Sequence, residues 1–149
     1  MSAIVFLDSG PLGLVINPRG SSVADACNLW LMALIAKGVQ VKLPEIADYE
    51  VGRALLRINK TTSIKYLDAL KTSIDYVPIT TQTMLLAAEF WAQVRKQGKP
   101  TADNKALDGD VILAAQASLL SNVGYEVVIA TTNVSHLSRL ATAKEWQNI

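Results

Sequence analysis

The chain has 149 residues, of which 50% are hydrophobic and 18% are charged. This composition excludes long disordered segments and predicts a single domain, residues 1–149, with a sizeable core. The 14 basic and 13 acidic residues give a net charge of +1, which excludes the broad electrostatic footprint of a DNA-coating protein. The opening apolar run is too short for a secretory signal, and no run approaches a transmembrane span. We therefore expect a cytoplasmic protein that has no membrane partner.

The first element is a short apolar run, residues 4–7, which Asp8 follows directly. Such a run is typical of a strand that is buried on both faces of a parallel sheet. Gly10 and Pro11 come next and predict a turn. An acid at the carboxyl end of a parallel strand lies where open α/β sheets bind their ligands. Asp8 also suits a simple turn cap, so this stretch alone leaves both interpretations open.

Short strands and helices alternate along the rest of the chain. The further predicted strands are apolar or alternating runs at residues 39–43, 74–79 and 126–133, with a last edge strand at 145–149. The predicted helices cover residues 21–37, 44–59, 61 to at least 70, 80–98 and 108–122, with a single turn at 136–140 and a polar loop at 99–107. This alternation predicts an α/β fold with a mainly parallel sheet and right-handed crossovers. The lone Cys27 is predicted to be a small buried residue rather than a reactive thiol.

Glu50 is the candidate functional acid of the second long helix. It lies four residues after Ile46 and four before Ala54, on the face that should turn inward. Arg53 and Arg57 lie on the same side of this helix. The alternative is an ordinary surface pair between Glu50 and Arg53, worth only about 0.2–0.5 kcal/mol.

Two further acids, Asp108 and Asp110, are predicted at the start of the long buried helix. Asp108 is placed to cap it, and Asp110 would occupy its second position. Carboxylates favour a helix amino terminus by about 0.3–1 kcal/mol, which is a sufficient structural reason for either one. The face of Asp110, however, continues through the small residues Ala114 and Ala117, which allow close packing against a neighbouring element. Asp110 is therefore expected to face the sheet.

Thr131 and Asn133 end the next buried strand, where they could simply form a turn. Because the carboxyl ends of parallel strands meet at one edge of a sheet, Asp8, Asp110 and Asn133 are expected to converge there, with Glu50 supplied by a covering helix. Two carboxylates at ~4 Å repel by about 4 kcal/mol at an effective dielectric of 20, so a cation is needed. Oxygen ligands select Mg²⁺ or Mn²⁺. With a single histidine and a single cysteine, zinc is disfavoured.

The ordered set of these motifs resembles a known family. The matching stretches are Phe-Leu-Asp8-Ser-Gly, Leu-Pro-Glu-Ile-Ala-Asp-Tyr-Glu50-Val-Gly-Arg53, Asp110-Val-Ile-Leu-Ala-Ala-Gln-Ala, Thr131-Thr-Asn133-Val-Ser-His-Leu and the closing Glu-Trp-Gln-Asn-Ile149. Each stretch is weak alone, but together they span nearly the whole chain. They resemble the PIN domain, and within it the VapC-type toxin ribonucleases of bacterial toxin–antitoxin pairs.

The resemblance implies a PIN-like (Rossmann-like) α/β/α sandwich, with a central sheet of four to five strands, that holds Mg²⁺ or Mn²⁺ and cleaves single-stranded segments of RNA. Carried over residue by residue, Asp8, Glu50 and Asp110 are the three core acids. It also implies a cognate antitoxin protein and a homodimer. For the dimer, residues 29–34 of the first long helix are apolar on more than one face, although the core of one copy could account for them equally well.

The residues around the core acids are assigned supporting roles. Thr131 and Asn133 would steady the site by hydrogen bonds, and Arg53 would contact phosphate or steady Glu50. Many family members have an acid at the position of Asn133, so this departure leaves open whether one or two metal ions bind. Asp108 and the more distant Asp103 are weaker candidates.

Two other interpretations compete with this one. A receiver-type signalling domain needs an acid after its central strand, but the strand at residues 74–79 ends without one. A catalytically weak or inert PIN-like module that binds RNA or protein is the main alternative, because Asn133 replaces an acid.

Overall fold

The computed structural model describes residues 3–17, 20–98 and 104–149, with only the backbone of 104–106. Within these residues, five parallel strands form one sheet in the order β3-β2-β1-β4-β5. The strands are β1 Ile4–Leu7, β2 Val41–Pro44, β3 Asp75–Val77, β4 Val127–Thr131 and β5 Ala143–Glu145. The opening run of the chain is therefore the central strand of the sheet.

Helices cover both faces of this sheet. They are α1 Ser9–Val15, α2 Ser22–Ala36, α3 Glu45–Arg57, α4 Thr61–Ser73, α5 Thr81–Lys96, α6 Asn104–Asn122 and α7 Val134–Leu137, with a 3₁₀ turn at Trp146–Asn148. No helix in the described ranges is long and apolar enough to cross a membrane. The architecture confirms the predicted PIN-like α/β/α sandwich.

The alternation of side chains along β1 explains the two layers. Val5 and Leu7 pack in a cluster with Cys27 and Leu31 of α2. Phe6 faces the other side, where the packing cluster includes residues of α3 and α6. All four residues of β1 are buried, as expected of a strand covered on both faces. This double burial fixes the position of Asp8, the next residue, at the carboxyl edge of the sheet.

The turn predicted at Gly10 and Pro11 is wrong, because these residues lie in α1. Asp8 is the N-cap of this helix, and its side chain accepts a hydrogen bond from the Ser9 N–H. Pro11 is compatible with a first helical turn, since an N–H at that position would have no partner within the helix. Asp8 therefore does cap a local structure, but the structure is a helix.

The predicted start of the long buried helix is also wrong. α6 begins at Asn104, so Asp108 lies inside the helix and does not cap it. Buried Leu107, Val111 and Ala115 recur every four residues and pack against α5, which extends the helix into the predicted polar loop. The rest of that loop, residues 99–103 with the candidate Asp103, lies outside the described residues.

The predicted final strand is displaced. β5 ends at Glu145, and residues 146–148 form the 3₁₀ turn. Trp146 is buried and packs against Trp30 of α2, with the ring centroids 5.6 Å apart. The chain after Glu145 therefore buries Trp146 against α2 and does not continue the pairing of β5 with β4.

The apolar face of α2 divides between core and surface. Leu31 and Leu34 are buried, whereas Leu29 and Met32 are 68% and 60% exposed. Cys27 is fully buried, and burial raises the pKa of its thiol to about 11, as expected of an unreactive cysteine.

Candidate metal centre

Asp8 is held by hydrogen bonds from two directions. Its Oδ1 accepts from the Ser9 N–H at 2.7 Å, and its Oδ2 accepts from the Thr131 hydroxyl at 2.8 Å. Thr131 is fully buried at the end of β4, the strand that pairs with β1 in parallel register. The neighbouring strand therefore orients the acid that follows the central strand.

Thr131 also fixes the turn that carries Asn133. The hydroxyl oxygen that donates to Asp8 accepts a hydrogen bond from the Asn133 N–H at 2.9 Å. One buried hydroxyl thus links Asp8 to the segment after β4. The prediction that Thr131 steadies the site agrees with this geometry.

Asp110 lies six residues after the first residue of α6, Asn104, with 22% of its side chain exposed. Burial and the nearby negative charge of Asp8 raise the pKa of its carboxyl to about 6, although the charge of Arg139 lowers it. An Asp110 carboxylate in this position is therefore unfavourable unless more positive charge is close.

Glu50 reaches the same region from α3 and lies across the backbone of α6 at Gly109. A Cβ atom at Gly109 would be 2.6 Å from Oε2 of Glu50, which only glycine avoids. Burial and then the charge of Asp8 raise the pKa of Glu50, Arg53 lowers it, and Asp110 raises it further. Asp8, Glu50 and Asp110 are therefore close enough to repel one another.

The charge balance of this cluster fits a cation. The pKa of Asp8 is raised because burial outweighs its hydrogen bonds from Thr131 and Ser9. All three carboxyls thus hold protons more tightly than usual, and their donor atoms are the oxygens that Mg²⁺ and Mn²⁺ prefer.

No group of three or more His, Cys, Asp or Glu side chains is already arranged to hold an ion within the described ranges. Mg²⁺ is often bound through one or two carboxylates and several waters, so this arrangement still fits it. A third protein ligand would require side-chain movement.

The supporting residues lie at different distances from the cluster. Arg53 lies close enough to Glu50 to lower its pKa, and its guanidinium lies over the ring of Tyr49, 5.0 Å from the centroid. Asp108 is exposed and lines a groove between α3 and α6 that also contains Glu50. Asp108 therefore lies beside the cluster, at the groove.

His136 is a site residue that sequence reasoning missed, having used it only as an argument against zinc. The Asn133 side-chain amide donates to its Nδ1 at 2.9 Å, and Oδ2 of Asp110 is 3.9 Å from the same nitrogen. Its position three residues after Asn133 could have revealed it, because that spacing places His136 on α7, just after the end of β4.

Comparisons with known proteins place this geometry in a fold class. No protein-family model matches the sequence, and no curated protein matches it. Among solved structures, a chain of VapBC-1 from nontypeable Haemophilus influenzae aligns with a TM-score of 0.69 and 17% identity, covering 97% of this chain and 98% of that chain. A chain of VapBC2 from Rickettsia felis, bound to a DNA fragment from their promoter, aligns with a TM-score of 0.70 and 16% identity, covering 96% and 98%.

A third match is a chain of DNA-bound VapBC from Salmonella typhimurium, with a TM-score of 0.68, 15% identity and coverage of 98% and 99%. Likeness at these identities shows the fold, which is that of a PIN-like α/β/α domain. This chain therefore has the fold of chains found in VapBC complexes, as the resemblance in its motifs implied.

Proposed function

We propose that this protein is a divalent-metal-dependent endoribonuclease that hydrolyses RNA phosphodiester bonds with Mg²⁺ or Mn²⁺. The observation that carries the proposal is the convergence of three carboxyls, Asp8, Glu50 and Asp110. Burial raises the pKa of each, and the charge of Asp8 raises the pKa of Glu50 and Asp110 further. A bound divalent cation would offset the repulsion between these charges. The free energy needed to ionise the three carboxyls would then fall.

Each residue has a role in this proposal. Asp8 and Asp110 hold the metal ion, and Glu50 binds it directly or through water, or orients the attacking water. Thr131 keeps Asp8 in place, and Arg53 steadies Glu50 or contacts phosphate. When bound, the ion supplies an activated water and neutralises charge on the scissile phosphate.

The number of metal ions depends on Asn133. Two ions about 3.5–4 Å apart would bring more positive charge than one. The amide of Asn133 is neutral, and its side-chain N–H is already donated to His136. A neutral amide offsets less positive charge than a carboxylate would, so Asn133 weakens a second metal site.

The proposed biological setting starts from the fold. Chains of VapBC complexes share the architecture over nearly their whole length. This likeness supports the proposal that the protein is a toxin component that pairs with a cognate antitoxin protein. We also propose that it acts as a homodimer in the cytoplasm, as the resemblance of its motifs and the composition of its sequence led us to expect.

A cleavage assay tests the enzymatic proposal. Wild type is expected to cleave RNA in the presence of Mn²⁺ and to stop in EDTA. Asp8→Asn and Asp110→Asn should each reduce the rate at least ~100-fold, because even residues that only orient metal ligands are typically worth about 10–100-fold. Asp75→Asn, on β3, is the control, since its side chain is 72% exposed. If both site variants cleave as fast as wild type, the assignment of these acids is wrong.

The inert PIN-like module remains a second candidate, because no set of three ligand side chains is preformed in the described ranges. Calorimetric titration with Mn²⁺ separates the two. Binding by wild type that is lost in Asp110→Asn supports the enzyme, whereas no binding by wild type supports the module.

A further inference from the structure

A groove between α3 and α6 leads away from the three acids. It has a volume of about 610 Å³. Its polar and aromatic lining consists of Tyr49, Glu50, Arg53, Arg57, Asp108 and Gly109. Glu50 is shared between the groove and the acid cluster, so a chain lying in the groove would pass directly into the candidate site.

The α3 wall of the groove carries two guanidinium groups in line. Arg53 and Arg57 are one helical turn apart, and both are exposed. No ion pair joins Arg57 to any residue in the described part of the chain, so its charge is available to a ligand. Arg57 lies seven residues after Glu50, which corresponds to about 10 Å along the helix axis. The positive charge therefore begins beside the acids and continues outward along α3.

Tyr49 adds a flat aromatic surface to this wall. Its side chain is 57% exposed, and the guanidinium of Arg53 lies 5.0 Å from its ring centroid. A ring and a guanidinium plane are the two surfaces on which proteins stack unpaired bases. A duplex cannot offer its bases in this way, because they are stacked within the helix.

The groove also contains acids, and they set the orientation of a ligand. Glu50 lies at the end that faces the acid cluster, and Asp108 is on the α6 side. Phosphates are therefore expected along α3, against the arginines, and not along α6.

We propose that this α3–α6 groove binds single-stranded RNA on one side of the scissile phosphate. Arg57 contacts a backbone phosphate, Arg53 contacts the phosphate nearer the acids, and Tyr49 stacks on a base. This inference rests on the proposed ribonuclease function, because it takes RNA as the substrate. It adds where the strand lies and which side chains of α3 contact it.

The test is the affinity of the full chain for a fluorescent single-stranded RNA oligonucleotide, measured by anisotropy in EDTA so that no cleavage intervenes. For single strands, one phosphate contact contributes about 0.7 to the slope of log affinity against log salt, which corresponds to about fourfold in affinity at ~0.15 M salt. Arg57→Glu is expected to weaken binding at least ~4-fold and to flatten the slope by about 0.7. Tyr49→Ala should weaken binding at least ~5-fold, while Tyr49→Phe should retain it.

Lys37→Glu is the matched control, since it makes the same change in net charge. Lys37 is exposed and follows α2, four residues before β2 begins, so it lies near the amino ends of the strands and away from the groove. Its affinity for RNA should match that of wild type. A duplex of the same sequence should bind more weakly than the single strand and should not distinguish Tyr49→Ala from wild type.

Equal affinity of wild type, Arg57→Glu and Tyr49→Ala for single-stranded RNA would overturn the groove assignment, even if wild type cleaves RNA with Mn²⁺. Equal losses in Arg57→Glu and Lys37→Glu would also overturn it, because net charge alone would then explain them. If the groove variants lose affinity but wild type does not cleave, the groove stands and the ribonuclease proposal fails.

Discussion

Replacing Asp110 with asparagine is expected to stabilise the metal-free protein at neutral pH. The pKa of Asp110 is raised from its ordinary value of 3.8 to about 6, first by burial and then by the charge of Asp8. Each pKa unit corresponds to about 1.4 kcal/mol, so the ionised carboxylate costs about 3 kcal/mol. Because 22% of its side chain is exposed, solvent screening reduces this cost to about 2 kcal/mol. Asparagine has a similar shape and no charge to desolvate.

The direction of the pH dependence follows from proton binding. Between pH 3.8 and about 6 the folded Asp110 retains a proton that the unfolded chain has released. Stability contributed by this group therefore falls as pH rises through that window, and the loss is complete above about pH 6. The advantage of Asp110→Asn should be full at pH 7 and vanish near the ordinary pKa.

Thermal unfolding with EDTA at a series of pH values measures this effect. For a chain of this length, about 2 kcal/mol corresponds to an increase in Tm of roughly 4–8 °C at pH 7. Asp75→Asn is the control, because its exposed ion pair with Lys42, at 3.5 Å, should contribute less than about 1 kcal/mol. With Mn²⁺ in place of EDTA, wild type should gain stability by ligand binding, and Asp110→Asn should gain less.

An Asp110→Asn variant that melts at or below the wild-type temperature at pH 7 would show that the Asp110 carboxylate does not destabilise the metal-free protein. A stabilisation that stays constant from pH 4 to pH 7 would show the same, since it would not come from the carboxylate charge. If Asp110→Asn gains as much from Mn²⁺ as wild type does, Asp110 is not a metal ligand.

Two further substitutions test the position of Glu50 and the packing of α3, the helix that carries it. Gly109→Ala should lower the cleavage rate without lowering Tm, because the added Cβ would lie 2.6 Å from Oε2 of Glu50 and must displace that carboxylate. Gly52→Ala is the control: the nearest atom to its added Cβ is 3.9 Å away, so it should cleave at the wild-type rate. Gln116→Leu should lower the free energy of unfolding by about 2–3 kcal/mol, measured in urea, because the buried amide accepts from an α3 N–H at 3.4 Å and donates to a β3 carbonyl at 2.8 Å. The exposed Gln93→Leu should change it by less than ~0.5 kcal/mol, and equal values for the two glutamine variants would contradict this interpretation.

The central strands β1 and β4 were predictable because they are short and strongly apolar. A run such as residues 4–7 can only be buried on both faces, and its position before an acid places that acid at the carboxyl edge. Helix starts were less predictable. Gly10 and Pro11 are typical of turns, yet Pro11 needs no N–H partner in a first helical turn. The start of α6 depends on Leu107 packing against α5, a contact that local sequence cannot show.

The candidate site divides in the same way. Asp8, Asp110 and Glu50 were predictable as a set, because parallel topology brings strand ends and their neighbouring helices together. The approach of Glu50 to Gly109 depends on how closely α3 and α6 pack, and sequence spacing carries no information about that distance. The contact of His136 with Asn133 depends on the path of the turn after β4. Both distances are set by the folded structure, so the sequence could not show them.

The hydrogen bonds around the acids distinguish Asp8 from the other two carboxylates. Asp8 receives hydrogen bonds on both carboxylate oxygens, so its orientation is set by the fold itself. In the described part of the chain, no hydrogen bond holds the carboxylates of Glu50 and Asp110, and both are pushed away from Asp8 by its charge. A cation beside Asp8 would turn that repulsion into a shared attraction, so Glu50 and Asp110 are the side chains expected to move toward it. A fixed Asp8 with a movable Glu50 and Asp110 would explain why no group of three ligand side chains is preformed in the described residues.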